Sequence, residues 1–389
     1  MHKQRIVIIS PAYPYRGGQA LVEAHLFQYL TQAGYDCHTI TFTLLYPSIF
    51  FPGTTQSEPS GMIFFEHSSR IKRVINSINP FTWIKAAWII NKIKPHAMVL
   101  IWWMPFFGPA YSSIALLSKK FTRSRIVFLV ENFISHENRW FDRFFTRFTL
   151  RLADHFICFS KYIGQQLEQY FDDKSIHRMT LPIYDCYNLN RFNKESSRKI
   201  LGINTSNVVL FFGFVRPYKG LDILIQAFPL VLSKYPDTTL LIVGEYYEDE
   251  QKYIDLVKDH GIENRSIMIS KYIPNEELEC YFKAADLSCL PYKSGTQSGI
   301  AMISYGFHVP VVVTDVGGIA ELVVPDKTGV IAPPNQPEKI ADGIIRVLEL
   351  RNSTDFEKNI VDYIADLGYK NLKRIFNQIT GEVADRICI

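Results

Sequence analysis

The 389-residue sequence predicts an α/β protein of two doubly wound parallel-sheet domains. Three observations lead there. Short β-rich apolar runs alternate with amphipathic helical stretches, and that alternation builds parallel sheets covered on both faces. The alternation comes in two blocks, separated by a polar stretch over 185–202 that includes Asn188, Asn190, Asn193, Ser196 and Ser197. The chain is also too long for one ordinary core and suits two domains of roughly 200 residues.

In the first block, strands are expected over 5–10, 36–42, 97–102, 125–130 and 155–159. Helices are expected over 19–33, 80–94, 109–119, 139–153 and 161–170. The first apolar run, Ile6-Val-Ile-Ile, is far shorter than a signal-peptide core and reads as a buried strand. Residues 44–69 read as a long loop rich in Phe, Pro, Gly and Ser, a length that is usually functional or mobile. The stretch 97–117 has no charged residue and would suit a membrane-spanning helix by length. Pro105, Gly108 and Pro109 would break such a helix, so it reads as a buried strand, a Pro-rich turn and a helix.

In the second block, strands over 208–212, 239–243, 266–269, 287–290 and 309–313 alternate with helices over 221–234, 250–260, 275–285, 298–307 and 337–350. Domains are expected over 1–195 and 196–353. Such sheets bind ligands beyond the carboxyl ends of their strands, so the two are expected to face a shared cleft.

Composition narrows the function classes. Six scattered cysteines with no CxxC pair suggest neither a zinc site nor a disulfide framework, which fits a reducing cytoplasm. The net charge of +4 is uneven: residues 1–190 carry 20 Lys and Arg against 12 Asp and Glu, and the rest carry 22 against 26. A basic first half points to an anionic surface or substrate met by that half. Arg139, Arg143, Arg147 and Arg151 recur every four residues among Trp and Phe, a basic aromatic helix suited to peripheral membrane contact. The bland alternative is a helix with its aromatics on the sheet and its arginines in water. No nucleic-acid-binding motif accompanies the charge.

Two segments carry chemistry. Val208-Val-Leu-Phe-Phe-Gly213 is an apolar strand ending in glycine, followed by Arg216, Lys219 and the start of an amphipathic helix. Two cations at a strand end beside a helix N-terminus favour phosphate; solvated side chains on an ordinary βα loop are the alternative. The second segment is a Gly/Ser/Thr loop, Gly295-Thr296-Gln297-Ser298-Gly299, which offers backbone N–H groups to a pyrophosphate. It is followed by a strand ending in Asp315-Val-Gly-Gly and then Glu321.

From Val208 to Leu350 the chain resembles the C-terminal domain of the large group of retaining GT-B glycosyltransferases, which includes builders of lipopolysaccharide and other bacterial polysaccharides. The resemblance rests on 213–220, Val243-Gly244, Tyr272-Ile273-Pro274, Ala285-Asp286 and 310–321. In the first half, Pro-Ala-Tyr-Pro-Tyr-Arg-Gly17-Gly18 resembles the family's first glycine loop. The segments 51–56, 78–83 and 102–107 resemble a narrower subgroup.

The resemblance implies two Rossmann-like domains and transfer of a sugar, with retention, from a nucleotide-diphosphate sugar to a glycan or lipid-linked acceptor. It implies no cofactor and no metal; the Asp-x-Asp triplet of the other glycosyltransferase fold is absent from the sequence. Arg216 and Lys219 would neutralise the departing diphosphate, with Gln297, Ser298 and Gly299 cradling it. Gly213 belongs to the same strand-end loop. Gly17 and Gly18 would let the first loop approach the donor. Tyr272 and Ile273 would sit by the base, and Glu321 by the sugar or ribose. Residues 354–389 would return to the first domain, as the family's last helices do.

Two departures stand out. The family's pair of Glu residues is replaced by Gly295 and Ile303, with Gly295-Thr296-Gln297-Ser298-Gly299 in their place. The family's His after the fourth strand is replaced by Glu131, an acid/base or acceptor-binding candidate, with His136 nearby as a substitute or a loop histidine. Two other readings follow from these departures: a nucleotide-sugar-binding subunit without turnover, or an epimerase or phosphorylase of the same fold.

Overall fold

The computed structural model describes residues 3–47, 55–58, 68–133, 140–365, 367 and 371–381. His136, Arg139 and part of the 51–56 segment lie outside them. The chain divides into two compact units, 1–182 with 368–389, and 183–367.

The first unit holds a seven-stranded parallel sheet in the order β3-β2-β1-β4-β5-β6-β7. The strands are β1 (Arg5–Ile9), β2 (Asp36–Leu44), β3 (Ile71–Asn76), β4 (Ala97–Trp102), β5 (Arg125–Val130), β6 (His155–Cys158) and β7 (Ser175–Arg178). Strand β1 is central, with Ile6 opposite Cys37 on one side and Ala97 on the other. Every residue of β4 is buried, which is why it reads as an unbroken apolar run. The edge strands β3 and β7 are not among the expected elements. Lys72 and Arg73, and His177 and Arg178, interrupt their apolar pattern, as charge often does on edges that must not recruit another strand.

Helices α1 (Gly18–Gln32), α2 (Pro80–Ile93), α3 (Gly108–Phe121), α4 (Trp140–Leu150) and α5 (Lys161–Tyr170) connect the strands. Asn79 caps α2 by accepting from Phe81 N–H, and Pro80 supplies the first helical position. The charge-free 97–117 stretch is β4, a turn at Pro105–Phe107 and most of α3. Among the described residues, no helix is long and apolar enough to cross a membrane. The C-terminal helix Leu372–Gly381 belongs to this unit, where Asn377 accepts from Tyr35 OH at 2.6 Å and Thr380 donates to Gln4 at 2.6 Å.

The second unit holds a six-stranded parallel sheet in the order β10-β9-β8-β11-β12-β13. Its strands are β8 (Asn207–Phe212), β9 (Thr238–Val243), β10 (Ser266–Ile269), β11 (Leu287–Leu290), β12 (Val311–Thr314) and β13 (Gly329–Ala332), the last again an unexpected edge. Its helices are α6 (Lys194–Ile200), α7 (Leu221–Lys234), α8 (Gln251–Asp259), α9 (Leu278–Ala284), α10 (Gly299–Gly306), α11 (Pro337–Leu350) and α12 (Phe356–Ala365). Asp286, buried just before β11, accepts from Val208 N–H at 2.7 Å. It also pairs with Lys194 and Arg198 at 2.6 Å and with Arg351 at 3.3 Å. One carboxylate thereby ties α6, the start of β8 and the end of α11 to the sheet.

Both sheets reverse their strand order once, between β1 and β4 and between β8 and β11. Loops at the carboxyl ends of those strands are where doubly wound sheets bind ligands.

Candidate active site

In the second unit, the loops leaving β8 and β11 are locked together. Lys293 donates its backbone N–H to Tyr218 O at 2.7 Å, and its ammonium pairs with Asp222 at 2.6 Å. Gly220 makes the contact closer still. Its φ is +69°, and a Cβ there would fall 2.0 Å from the Pro291 carbonyl oxygen.

The short turn Pro217–Lys219 directs Lys219 inward, leaving it 8% exposed. Its Nζ lies against the start of the same loop: a Cβ on Gly213, at φ +109°, would stand 3.1 Å from it. The Tyr292 ring centroid is 5.5 Å away. Among the described residues, no carboxylate forms an ion pair with Lys219. Burial, with the neighbouring Arg216 adding to it, lowers its pKa to about 8. A buried ammonium in that position is stabilised when an anion arrives. Arg216 lies with its guanidinium 4.7 Å over the Tyr247 ring.

The glycine-rich loop flanks this cation. Buried Ser298 precedes α10 without capping it through its side chain, so the first N–H groups of the helix have no side-chain acceptor from that residue. Tyr292 OH lies 3.4 Å from Ser298 Oγ, and Gly299 packs beside the Tyr184 ring. Thr296 accepts from Gly318 N–H at 3.2 Å, joining this loop to the one after β12. Thr296 and Gln297 are half-buried. Gly295 packs against Ile319, and Ile303 is buried in α10. Glu321 is exposed on the turn Ala320–Leu322 that follows the paired glycines.

Tyr272 and Ile273 follow β10; Ile273 is buried and Tyr272 half-buried. The Tyr272 ring stacks with Phe214 at 6.3 Å, and Phe214 packs on Tyr247 at 4.8 Å. An aromatic row therefore runs along the carboxyl ends of β8, β9 and β10 to Arg216. Phe214, Tyr247, Tyr292 and Lys293 are not singled out by the sequence reading. The recurrence of aromatics just past three strand ends is the signal that would have found three of them.

In the first unit, Glu131 follows β5 and is buried, with its N–H donating to Trp102 O at 2.9 Å. Gln19, in the first turn of α1, donates to Glu131 Oε2 at 2.9 Å. Burial raises the pKa of this carboxyl to about 7, against the opposing effect of the Gln19 bond. A group with that value can hold or release a proton at neutral pH. Gly17, at φ +108°, and Gly18 are exposed at the entry to α1. Their loop is braced by Arg16 N–H to Gln56 O at 3.0 Å and Glu58 N–H to Pro14 O at 2.7 Å. Gln19 is the partner that residue type alone does not reveal. Arg143, Arg147 and Arg151 are exposed on α4 and just past it. Among the described residues, no group of three or more His, Cys, Asp or Glu is placed to hold a metal ion.

Comparison with known proteins matches residues 193–364 to the family described as "Glycosyl transferases group 1". A D-inositol 3-phosphate glycosyltransferase of Corynebacterium urealyticum is 29% identical over 161 residues, 40% of this chain and 38% of that protein. An uncharacterized glycosyltransferase of Methanocaldococcus jannaschii is 26% identical over 218 residues, 56% of this chain and 55% of that one. The match thus spans well under two thirds of these relatives' length. Among solved structures, a sucrose-phosphate synthase from Thermosynechococcus elongatus has a TM-score of 0.73 at 18% identity, covering 99% of this chain and 100% of that one. Anabaena Alr3699/HepE in complex with UDP gives 0.64 at 16% identity, with 99% of each chain covered. These likenesses establish the fold: two parallel-sheet Rossmann-like units of the GT-B type.

Proposed function

We propose that this chain is a glycosyltransferase that moves a sugar from a nucleotide-diphosphate sugar to a glycan or lipid-linked glycan, with retention and without a metal, in surface polysaccharide synthesis at the cytoplasmic face of the membrane. The observation that carries the reading is Lys219, a buried ammonium with no described carboxylate partner at the strand-order reversal of the second sheet. It is flanked by Arg216 and by the start of α10. Departure of a nucleoside diphosphate develops negative charge on the β-phosphate, and fixed cations in a water-poor site stabilise that charge most. The group 1 match over 193–364 and the UDP in the Anabaena structure support the same reading.

In this reading the second unit holds the donor. Arg216 and Lys219 take the diphosphate, with backbone from Gly295 to Gly299. Tyr272 and Ile273 take the base, and Glu321 contacts the sugar or ribose. The first unit holds the acceptor, with Gly17 and Gly18 in the approaching loop and Glu131 as the titrating group.

The test is transfer and hydrolysis of UDP-, GDP-, ADP- and TDP-sugars with EDTA present. Turnover of one donor that survives EDTA and collapses in Arg216→Ala and Lys219→Ala is the expected result. The replacement of the family's Glu pair by Gly295 and buried Ile303 favours one second reading, a donor-binding subunit without turnover. Tight donor binding with no turnover on any acceptor, including membrane extract, would establish that reading instead.

A further inference from the structure

We infer that the helical face formed by α2, α3 and α4 docks the protein on an anionic lipid bilayer. The inference deepens the membrane placement in the proposed function, and its test by vesicle binding reads neither donor binding nor turnover. The crossovers from β3 to β4, β4 to β5 and β5 to β6 all run in the same direction across the sheet, so right-handed connections place their helices on one face. Accordingly α2 packs beside α3, and α3 beside α4.

Each helix buries one stripe toward the protein and exposes large apolar side chains elsewhere. Helix α2 buries Ala86, Ala87 and Ile90 but exposes Phe81, Ile84 and Trp88, spaced to lie along one line. Phe121 ends α3 in solvent. On α4, Phe144 and Phe148 are exposed one turn apart with their rings stacked at 6.2 Å. Among the described residues, every exposed Phe and Trp lies on these three helices. Exposure reaches 80% for Phe81, 68% for Phe121 and 61% for Phe144. With every other described Phe and Trp buried or half-buried, this concentration on one face marks an interaction surface.

Charge selects the occupant. The three helices carry Lys85, Lys92, Lys119, Lys120, Arg143 and Arg147 against one acid, Asp142. Lys119 pairs with Asp154 at 3.1 Å. Lys92, Lys120 and Arg147 instead sit over the rings of Trp88, Phe121 and Tyr170, at 3.5, 5.8 and 4.5 Å. Cations on long stems beside exposed aromatics match a bilayer interface, where rings enter the headgroup layer and ammonium and guanidinium groups meet lipid phosphates. A second copy of the same face would set six cations against six, so self-association is disfavoured. The basic stripe on α4 is thus one part of a surface three helices wide.

The test is co-sedimentation of the full chain with phosphatidylcholine vesicles and with equimolar phosphatidylcholine–phosphatidylglycerol vesicles. Binding is expected on the anionic vesicles only, weakening as salt rises toward about 1 M. Phe81→Ser with Trp88→Ser should lower the partition coefficient about tenfold or more, as should Phe144→Ser with Phe148→Ser. Lys92→Glu with Lys120→Glu should lower it on anionic vesicles, while Leu230→Ser, an exposed apolar residue on α7, should leave it unchanged. Melting temperatures near wild type will confirm that the exposed-residue variants fold. A chain that stays in the supernatant with both vesicle types overturns the inference, as does binding that survives both aromatic pairs. A dimer by light scattering that Phe81→Ser with Trp88→Ser dissociates, without vesicle binding, would assign the face to a second copy.

Discussion

Burial works against the charged forms of Lys219 and Glu131, and each leads to a prediction. Methionine matches the length of lysine without its charge, so Lys219→Met should stabilise the fold at neutral pH. The same substitution should cut transfer about 10²–10³-fold, the usual cost of losing one donor to a developing oxyanion. Thermal melts and steady-state rates on one preparation will show the opposite signs; a variant that loses both stability and rate would make Lys219 a structural residue. Glu131→Gln keeps the shape and the Gln19 neighbour but removes the proton. If Glu131 acts on the acceptor, the limb of the kcat/KM profile near pH 7 should vanish and the rate fall at least about 10²-fold. An unchanged profile would leave Glu131 a buried hydrogen-bonding group.

Among the elements, the loop after β8 is shaped by Gly220, which both takes a left-handed φ and admits the Pro291 carbonyl. Gly220→Ala should push the β8 and β11 loops apart, displacing Lys219 and weakening donor binding more than it lowers the melting temperature. Calorimetric titration with the nucleotide diphosphate checks this. Asp286 works at the opposite end of the sheet, where its loss would leave half-buried Arg198 without its carboxylate and free Val208 N–H. Asp286→Ala should destabilise by about 3 kcal/mol, read by urea unfolding, with little change in donor affinity at neutral pH for the protein that remains folded.

For the molecule as a whole, these two groups give opposite pH trends because burial favours the neutral form of each, which is the protonated carboxyl of Glu131 and the deprotonated amine of Lys219. Glu131 titrates near 7 folded and about 4.3 unfolded, so the folded state holds the extra proton between those values and stability falls as pH rises across them. Lys219 titrates near 8 folded and about 10.4 unfolded, so the unfolded state holds the extra proton there and stability rises with pH over that window. Each trend amounts to roughly 3–4 kcal/mol at full extent. Buried His25, lowered to about 4, gives a rising trend over the acidic window, so the readout from denaturation curves across pH is the difference from wild type. Glu131→Gln should lose the falling contribution between about pH 4.3 and 7, and Lys219→Met the rising one between about 8 and 10.4.

The fold class was legible in the sequence because central parallel strands are buried on both faces. β4 and β9 can then be read as apolar runs without any partner in view. Likewise Arg216, Lys219 and the Gly295–Gly299 residues announce themselves by type and by their place after a strand. Edge strands β3 and β7 were not legible, since charged residues break their apolar runs, and β13, four residues opening on a glycine, is marked as a strand only by its pairing with β12. Nor were the burial of Lys219, the Gln19–Glu131 bond across 112 residues of sequence, or the joining of α4's basic stripe to the aromatics of α2 and α3. Local sequence sets what a segment can become. Burial, pKa and shared surface depend on contacts between segments far apart in the chain, and those exist only once the sheets have formed.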